Sequence, residues 1–155
     1  MSLFIYNVSL YTICIPDIEQ ILLLDKYFMD LGYEDRFVLW DKEDFIYYLS
    51  RRDVIFTVLK KEKIVGFCLS VINFDESELY KIVVDKSFRG KGLGKFMMLY
   101  HLGSLKFKGI KISFLEVSSK NELAISLYAS MGYELVNIRK NYYGTDDALV
   151  MRKFL

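Results

Sequence analysis

Three β-rich runs in close succession constrain this chain more than any other feature. Val54–Leu59, Ile64–Phe74 and Glu78–Val84 are dominated by β-branched, aromatic and other apolar residues. The polar stretch Lys60-Lys61-Glu62-Lys63 separates the first two runs, and Phe74-Asp75-Glu76-Ser77 separates the second from the third. Short strands joined by such turns read as an antiparallel meander. Immediately after Val84 the pattern changes. Asp85–Gly94 is a charged, glycine-bearing loop, and Leu93, Phe96, Met97, Tyr100 and Leu105 then form a helical stripe. Lys111–Val117 alternates as a strand. Strand, helix and strand in that order make a parallel crossover, so the sheet must be mixed.

The flanks add elements. Leu3–Ile15 reads as a strand, and Pro16-Asp17 opens a helix carrying Ile18, Ile21, Leu22, Asp25 and Phe28, ended by Gly32. Asp41–Ser50 reads as a second, short helix with Trp40 just before it. Ser119-Lys120-Asn121-Glu122 matches a capping box, in which the serine caps and the glutamate reaches back. The helix Glu122–Met131 stops at Gly132, and Tyr133–Tyr143 and Ala148–Phe154 form a last strand pair around Gly144-Thr145-Asp146. The expected class is mixed α/β, as one domain over residues 1–155.

Composition removes several function classes. The 155 residues are 53% hydrophobic and 26% charged, which excludes a disordered chain. A net charge of +1 gives no basic excess for general nucleic-acid binding. Cys14 and Cys68 are too few for a disulfide framework or a four-cysteine zinc site, and His101 is the one histidine, so no metal is expected. Both cysteines are expected as buried strand residues, and His101 on a helix surface. Residues 1–24 are apolar but lack the basic start of an export signal, and no run is long enough to span a membrane. The expected setting is cytoplasmic, with no membrane or direct nucleic-acid partner, as a monomer or weak dimer.

The sharpest local signal is Val84-Asp85-Lys86-Ser87-Phe88-Arg89-Gly90-Lys91-Gly92-Leu93-Gly94-Lys95. Glycines let the backbone turn tightly and approach a ligand. A helix start adds unpaired N–H groups and the positive end of the dipole, which suit an anion such as a pyrophosphate. The spacing is not that of a P-loop, nor the G-x-G-x-x-G of a dinucleotide fold. An ordinary strand-to-helix turn with solvated charges fits the same residues.

Arg89-Gly90-Lys91-Gly92-Leu93-Gly94 resembles the acetyl-CoA-binding motif of the GNAT family of N-acetyltransferases, [RQ]-x-x-G-x-[GA]. Further matches follow. Leu115-Glu116-Val117 is followed by Asn121 and Tyr128, then Gly132-Tyr133, Asn141-Tyr142-Tyr143 and Asp147-Ala148 with Met151. Within the family this pattern is similar to the RimI-type enzymes, which acetylate protein N-termini and of which the ribosomal-protein alanine acetyltransferases are the type. The resemblance implies the GNAT fold: a mostly antiparallel sheet of about seven strands with a splayed fourth and fifth pair, and four flanking helices. It implies acetyl-CoA as co-substrate and no metal. Backbone groups of Ile82, Val83 and Val84 would meet pantetheine. Arg89, Gly90, Lys91, Gly92, Leu93, Gly94 and Lys95 would hold the pyrophosphate, and Asn121 the CoA arm.

The chemistry asks for a base and an acid. An α-amine has a pKa near about 7.7–8.0 and must lose a proton before it attacks a thioester. Glu116, at a strand end, is the candidate base, and Tyr128 the candidate acid for the departing thiolate. Each has a plainer alternative: Glu116 as a solvent-facing strand residue, Tyr128 as a core ring, Asn121 as a turn or cap.

The acceptor side departs from the RimI-type pattern. The stretch between Tyr143 and Asp147 is short, and Val38-Leu39 precedes Trp40 where Phe-Pro is common. Trp40, Tyr142 and Tyr143 are the candidate acceptor residues. The resemblance implies a protein N-terminus as acceptor, first a ribosomal protein starting with alanine. A small amine (polyamine, amino acid or aminoglycoside) and a non-catalytic acetyl-CoA-binding module are the alternatives. An acidic cleft favours the small cationic amine.

Overall fold

The computed structural model describes residues 2–29 and 39–155. Among these, seven strands form one sheet and four α-helices flank it. The order along the chain is β1 (Phe4–Val8), α1 (Ile15–Met29), α2 (Lys42–Ser50), β2 (Val54–Lys60), β3 (Ile64–Asn73), β4 (Glu76–Val84), α3 (Leu93–Phe107), β5 (Ile112–Ser118), α4 (Glu122–Ser130), β6 (Glu134–Tyr143) and β7 (Asp146–Phe154). Across the sheet the order is β1-β2-β3-β4-β5-β7-β6. Every pair is antiparallel except β4 with β5. The mixed sheet required by the meander and crossover is therefore present.

Alternation along the strands separates two cores. On one face Ile18, Ile21 and Leu24 of α1 and Phe45 and Leu49 of α2 pack against Phe56, Val58, Phe67 and Leu69. On the other, Met97, Met98, Leu102 and Leu105 of α3 and Tyr128 of α4 pack against Ile55, Cys68, Leu79 and Leu115.

The parallel pair carries the functional consequence. β4 and β5 are bonded only from Glu76 with Ile112 to Leu79 with Leu115. Beyond that the strands part, and Tyr80–Val84 keeps only its β3 neighbour. The parting coincides with a bulge. Lys81 lies opposite Leu69 and Leu79 opposite Ser70, so Tyr80 is the extra residue of β4. Such a bulge kinks the strand and ends regular pairing.

Several expectations are corrected. The first strand stops at Val8, not Ile15. Ser9 accepts from the Thr12 and Ile13 amides at 3.0 Å, and its own N–H donates to Thr12 Oγ1 at 2.8 Å. This local bonding turns the chain despite its β-branched residues. Cys14 is exposed and precedes α1, whereas Cys68 is a buried strand residue as expected. The helix end expected at Gly32 and the residue Val38 lie outside the described residues.

Ser119 does not cap α4. Its N–H is held by the Asp147 carbonyl at 2.9 Å, and Asn121 is the cap, its Oδ1 accepting from the Ala124 amide at 3.2 Å. A reciprocal capping box occurs instead at α2, between Asp41 and Asp44. His101 is fully buried rather than on a helix surface. Its ring nitrogens lie 2.7 Å from both Thr57 Oγ1 and Ser70 Oγ. Thr57 donates onward to Asn7 Oδ1 at 2.7 Å, and Asn7 Nδ2 donates to Ser104 at 3.0 Å. Two hydroxyls facing the ring satisfy a neutral imidazole, and burial holds its pKa down at about 3.

Among the described residues, no helix is long and apolar enough to cross a membrane, and no group of three or more His, Cys, Asp or Glu could hold a metal ion.

Candidate active site

The glycine-bearing loop follows β4 directly. Asp85 Oδ1 accepts from the Ser87 amide at 2.9 Å and its hydroxyl at 2.6 Å, which closes a single 3-10 turn over Lys86–Phe88. Arg89 Nε donates to the Val84 carbonyl at 2.9 Å and fastens the loop to the strand end. Gly90 and Gly92 have φ of 71° and 75°, the left-handed region that glycine adopts without strain. A Cβ on either would meet nothing within 4 Å. The glycines are thus needed for conformation, and they leave open space over the loop.

Gly92 is the N-cap of α3 and brings no capping side chain. The first N–H groups of this fifteen-residue helix are therefore aimed at that space with the positive end of the dipole. Lys91 and Lys95 are exposed beside it. This cradle fits a pyrophosphate.

Along β4, Ile82, Val83 and Val84 pair with Cys68, Phe67 and Gly66 on one side. On the other they have no β5 partner, so their backbone edge faces the wedge. Val83 is buried in the α1/α2 core and offers the wedge only its backbone. Asn121 spends its Oδ1 on the helix cap, and its Nδ2 makes no hydrogen bond among the described residues. Those residues thus fit the arm of a CoA-type donor laid along β4.

The second half of the site is a cleft of about 390 Å³ where β4 and β5 begin to part. Val71, Asn73, Glu78, Tyr80, Glu116 and Val150 are among its walls. Glu78 lies opposite Phe114, two residues before Glu116 on the neighbouring strand. The pleat therefore puts both carboxylates on one face. Glu116 Oε1 accepts from Arg139 Nη1 at 2.6 Å, and the guanidinium covers the Tyr142 ring at 4.0 Å. Glu78 has no ion pair among the described residues. Burial raises its pKa first, the Glu116 charge raises it further, and Arg139 opposes both. A carboxyl shifted in this way is a better match to an amine proton than an ordinary one.

Two phenols lie beyond the cleft, neither of them among its lining residues. Tyr143 is half-buried with its pKa pushed up to about 12, by burial first and then by the Glu116 charge. Tyr128 is buried edge-on to Tyr133, with centroids 5.8 Å apart. Burial drives its pKa up strongly, so the phenol stays protonated, and its hydroxyl makes no hydrogen bond among the described residues. It is a proton donor without a present acceptor.

Of the expected acceptor residues, Tyr143 and Tyr142 flank the Glu116–Arg139 pair. Trp40 does not line the cleft. It stacks on Tyr48 at 4.3 Å, and Tyr48 meets Tyr80 edge-on at 5.8 Å, so Trp40 backs the cleft wall through two rings. Lys81 Nζ lies 4.7 Å over the Trp40 ring and 2.8 Å from Asp25, which also accepts from the Trp40 amide at 3.4 Å.

Glu78, which the register brings beside Glu116, is not among the candidates read from the sequence. Its signal was the register of two parallel strands, which periodicity alone cannot supply.

Comparison with known proteins agrees with this arrangement. The acetyltransferase (GNAT) family profile matches residues 16–133. The ribosomal protein bS18-alanine N-acetyltransferase of Escherichia coli K12 is 31% identical over 116 residues, which cover 72% of this chain and 78% of that protein. The counterpart from Haemophilus influenzae is 34% identical over 103 residues, 63% of this chain and 70% of that protein. The crystal structure of the ribosomal-protein-S18-alanine N-acetyltransferase from Escherichia coli superposes with a TM-score of 0.81 at 23% identity, over 99% of this chain and 94% of that one. PaiA N-acetyltransferase from Thermoplasma acidophilum, in complex with coenzyme A, superposes at 0.77 with 21% identity over 100% of both chains. The fold is thus shared along nearly the whole length, and the chain belongs to the GNAT family as an N-acetyltransferase.

Proposed function

We propose that this chain acetylates the N-terminal α-amine of a protein, with a ribosomal protein starting with alanine as the first candidate. The observation that supports transfer to an amine is the Glu78–Glu116 cleft, which opens where β4 and β5 part and so abuts the donor wedge. The relatives named for bS18-alanine acetylation support the acceptor class.

Acetyl-CoA would supply the acetyl group as a thioester. The chain's own residues do the rest. Loop residues Arg89–Gly94, Lys95 and the start of α3 hold the pyrophosphate, while the free edge of Ile82–Val84 and Asn121 orient the arm. The carboxylate pair removes one proton from the ammonium, Glu78 with its raised pKa receiving it and Glu116, held by Arg139, positioning the amine. The amine nitrogen bonds to the acetyl carbon as the C–S bond breaks; Tyr128 gives its proton to the departing sulfur, and the second proton that the acylated nitrogen sheds restores the Tyr128 hydroxyl, directly or through water. No covalent enzyme intermediate is needed.

The cleft also favours a second reading. Glu76, Glu78 and Glu116 make it acidic, which suits a small cationic amine. A turnover assay read by mass spectrometry separates the two. Its acceptors are a pool of peptides with varied N-terminal residues, together with spermidine and free amino acids. Acetylation of peptide α-amines, led by alanine starts, is expected. Acetylation of spermidine or amino acids alone would replace the acceptor, and binding without transfer would remove the catalytic reading of the cleft.

A further inference from the structure

The outer face of α3 has no role in the acetyl-transfer site. Met97, Met98, His101, Leu102 and Leu105 point inward. Phe96, Leu99, Tyr100 and Phe107 point outward and are 46%, 57%, 38% and 94% exposed. With Gly103 they follow the i, i+3, i+4, i+7, i+11 spacing of one helical stripe. Between this stripe and β1 runs a groove of about 450 Å³, lined by Asn7, Tyr100, Gly103, Ser104, Phe107 and Lys108.

Among the described residues nothing requires a glycine at position 103. Mid-helix glycine costs about 0.5–1 kcal/mol relative to alanine. A Cβ there would meet nothing within 4 Å, and its φ is not positive. Its effect is a hollow between Tyr100 and Phe107, one turn to either side.

Charge narrows the occupant. Residues 93–115 contain no Asp or Glu. Lys106 and Lys108 are exposed, and neither has an ion pair among the described residues, whereas Lys60, Lys81, Lys111 and Lys140 are all paired. A second copy packed on the same face would set lysines against lysines. A flat anionic membrane would take the stripe and the lysines but would leave the hollow unused. An amphipathic helix with acidic flanks accounts for the stripe, the hollow and the charge together.

We propose that the groove between β1 and α3 docks an amphipathic helix of a partner protein, with a bulky apolar side chain seated over Gly103 and Asp or Glu facing Lys106 and Lys108. The test places a photo-crosslinking amino acid at Leu99 or Phe107 of the full chain in its own cells. The crosslinked segment is sequenced, synthesised, and titrated by fluorescence anisotropy against the wild type, Gly103→Leu and Phe107→Glu. Acetyl transfer, measured in parallel, should be unchanged and so reports folding. A net-negative helical segment whose affinity falls at least tenfold in both variants, and falls with added salt, is the expected result. Crosslinks to another copy of this chain, to lipid alone or to a segment without net negative charge would overturn the proposal. So would yields no higher than from a probe at exposed Tyr11, or an affinity indifferent to both substitutions.

Discussion

Glu78 and Glu116 face one cleft from adjacent parallel strands, and of the two only Glu116 has a cationic partner among the described residues, Arg139. This asymmetry gives the two carboxyls different tasks. In the proposed mechanism the ion pair fixes the position of Glu116, and Glu78 binds and releases the proton.

The pH dependence of kcat/KM follows from that division. Partial burial and the Glu116 charge raise the Glu78 pKa, so the rate should climb with pH through a value higher than that of an ordinary glutamate. Glu78→Gln should lose this acid limb and roughly 10²–10⁴ in rate. Arg139→Gln removes the charge that lowers the Glu78 pKa, so the limb should move to higher pH. A limb unmoved by Arg139→Gln and retained in Glu78→Gln, but abolished in Glu116→Gln, would reassign the base to Glu116.

Tyr128→Phe removes a hydroxyl that makes no hydrogen bond among the described residues. Stability and acetyl-CoA affinity should stay close to wild type, while turnover falls by roughly 10²-fold or more. Calorimetric titration with a slowly reacting CoA thioester, beside steady-state kinetics, checks both halves. Full activity would eliminate Tyr128 as an essential acid.

Gly92 permits a pair of substitutions that separate strain from blockade. Gly92→Ala forces an alanine to a φ of 75° but meets no neighbour, so the cost is about 1–2 kcal/mol of stability. Gly92→Glu adds a negative charge at the α3 N-terminus, in the space proposed for pyrophosphate. Its KM for acetyl-CoA should rise at least about tenfold more than that of the alanine variant. Equal KM values in the two variants would contradict the placement of the donor.

Stability should decline in mild acid because of His101. Its pKa is about 3 in the folded chain and 6.5 in the ordinary state. The unfolded chain therefore binds a proton that the folded chain refuses. Stability from this group is complete above pH 6.5 and is lost as pH falls toward 3, by up to about 1.4 kcal/mol per pH unit. Urea midpoints between pH 7 and 5 should show this slope in the wild type and lose its histidine part in His101→Gln. An identical slope in the two proteins would place the acid sensitivity elsewhere.

Much of this protein was legible along the chain. Runs rich in β-branched and aromatic residues, bounded by polar turns, located β2, β3 and β4, and the glycine spacing located the loop that enters α3, because both depend on preferences within a few residues. The same local logic failed where another local bond or a distant partner intervened. Thr12 and Ile13 suit a strand, yet Ser9 hydrogen bonds turn them. Ser119 suits a cap, yet its N–H belongs to Asp147 and Asn121 takes its place. His101 has an unremarkable helical position, and its burial is visible only once Thr57 and Ser70 arrive from β2 and β3.

The sequence by itself determined the order of elements, the switch from meander to crossover, and the loop that turns into α3. Those follow from side-chain period and from the φ that glycine alone adopts freely. The tertiary structure decided the rest of the site: the register that sets Glu78 beside Glu116, the Arg139 side chain brought from β6, and the solvent exclusion around Tyr128 and His101. Register, ion pairing and burial depend on groups far apart in the chain, and only the packed sheet sets their distances.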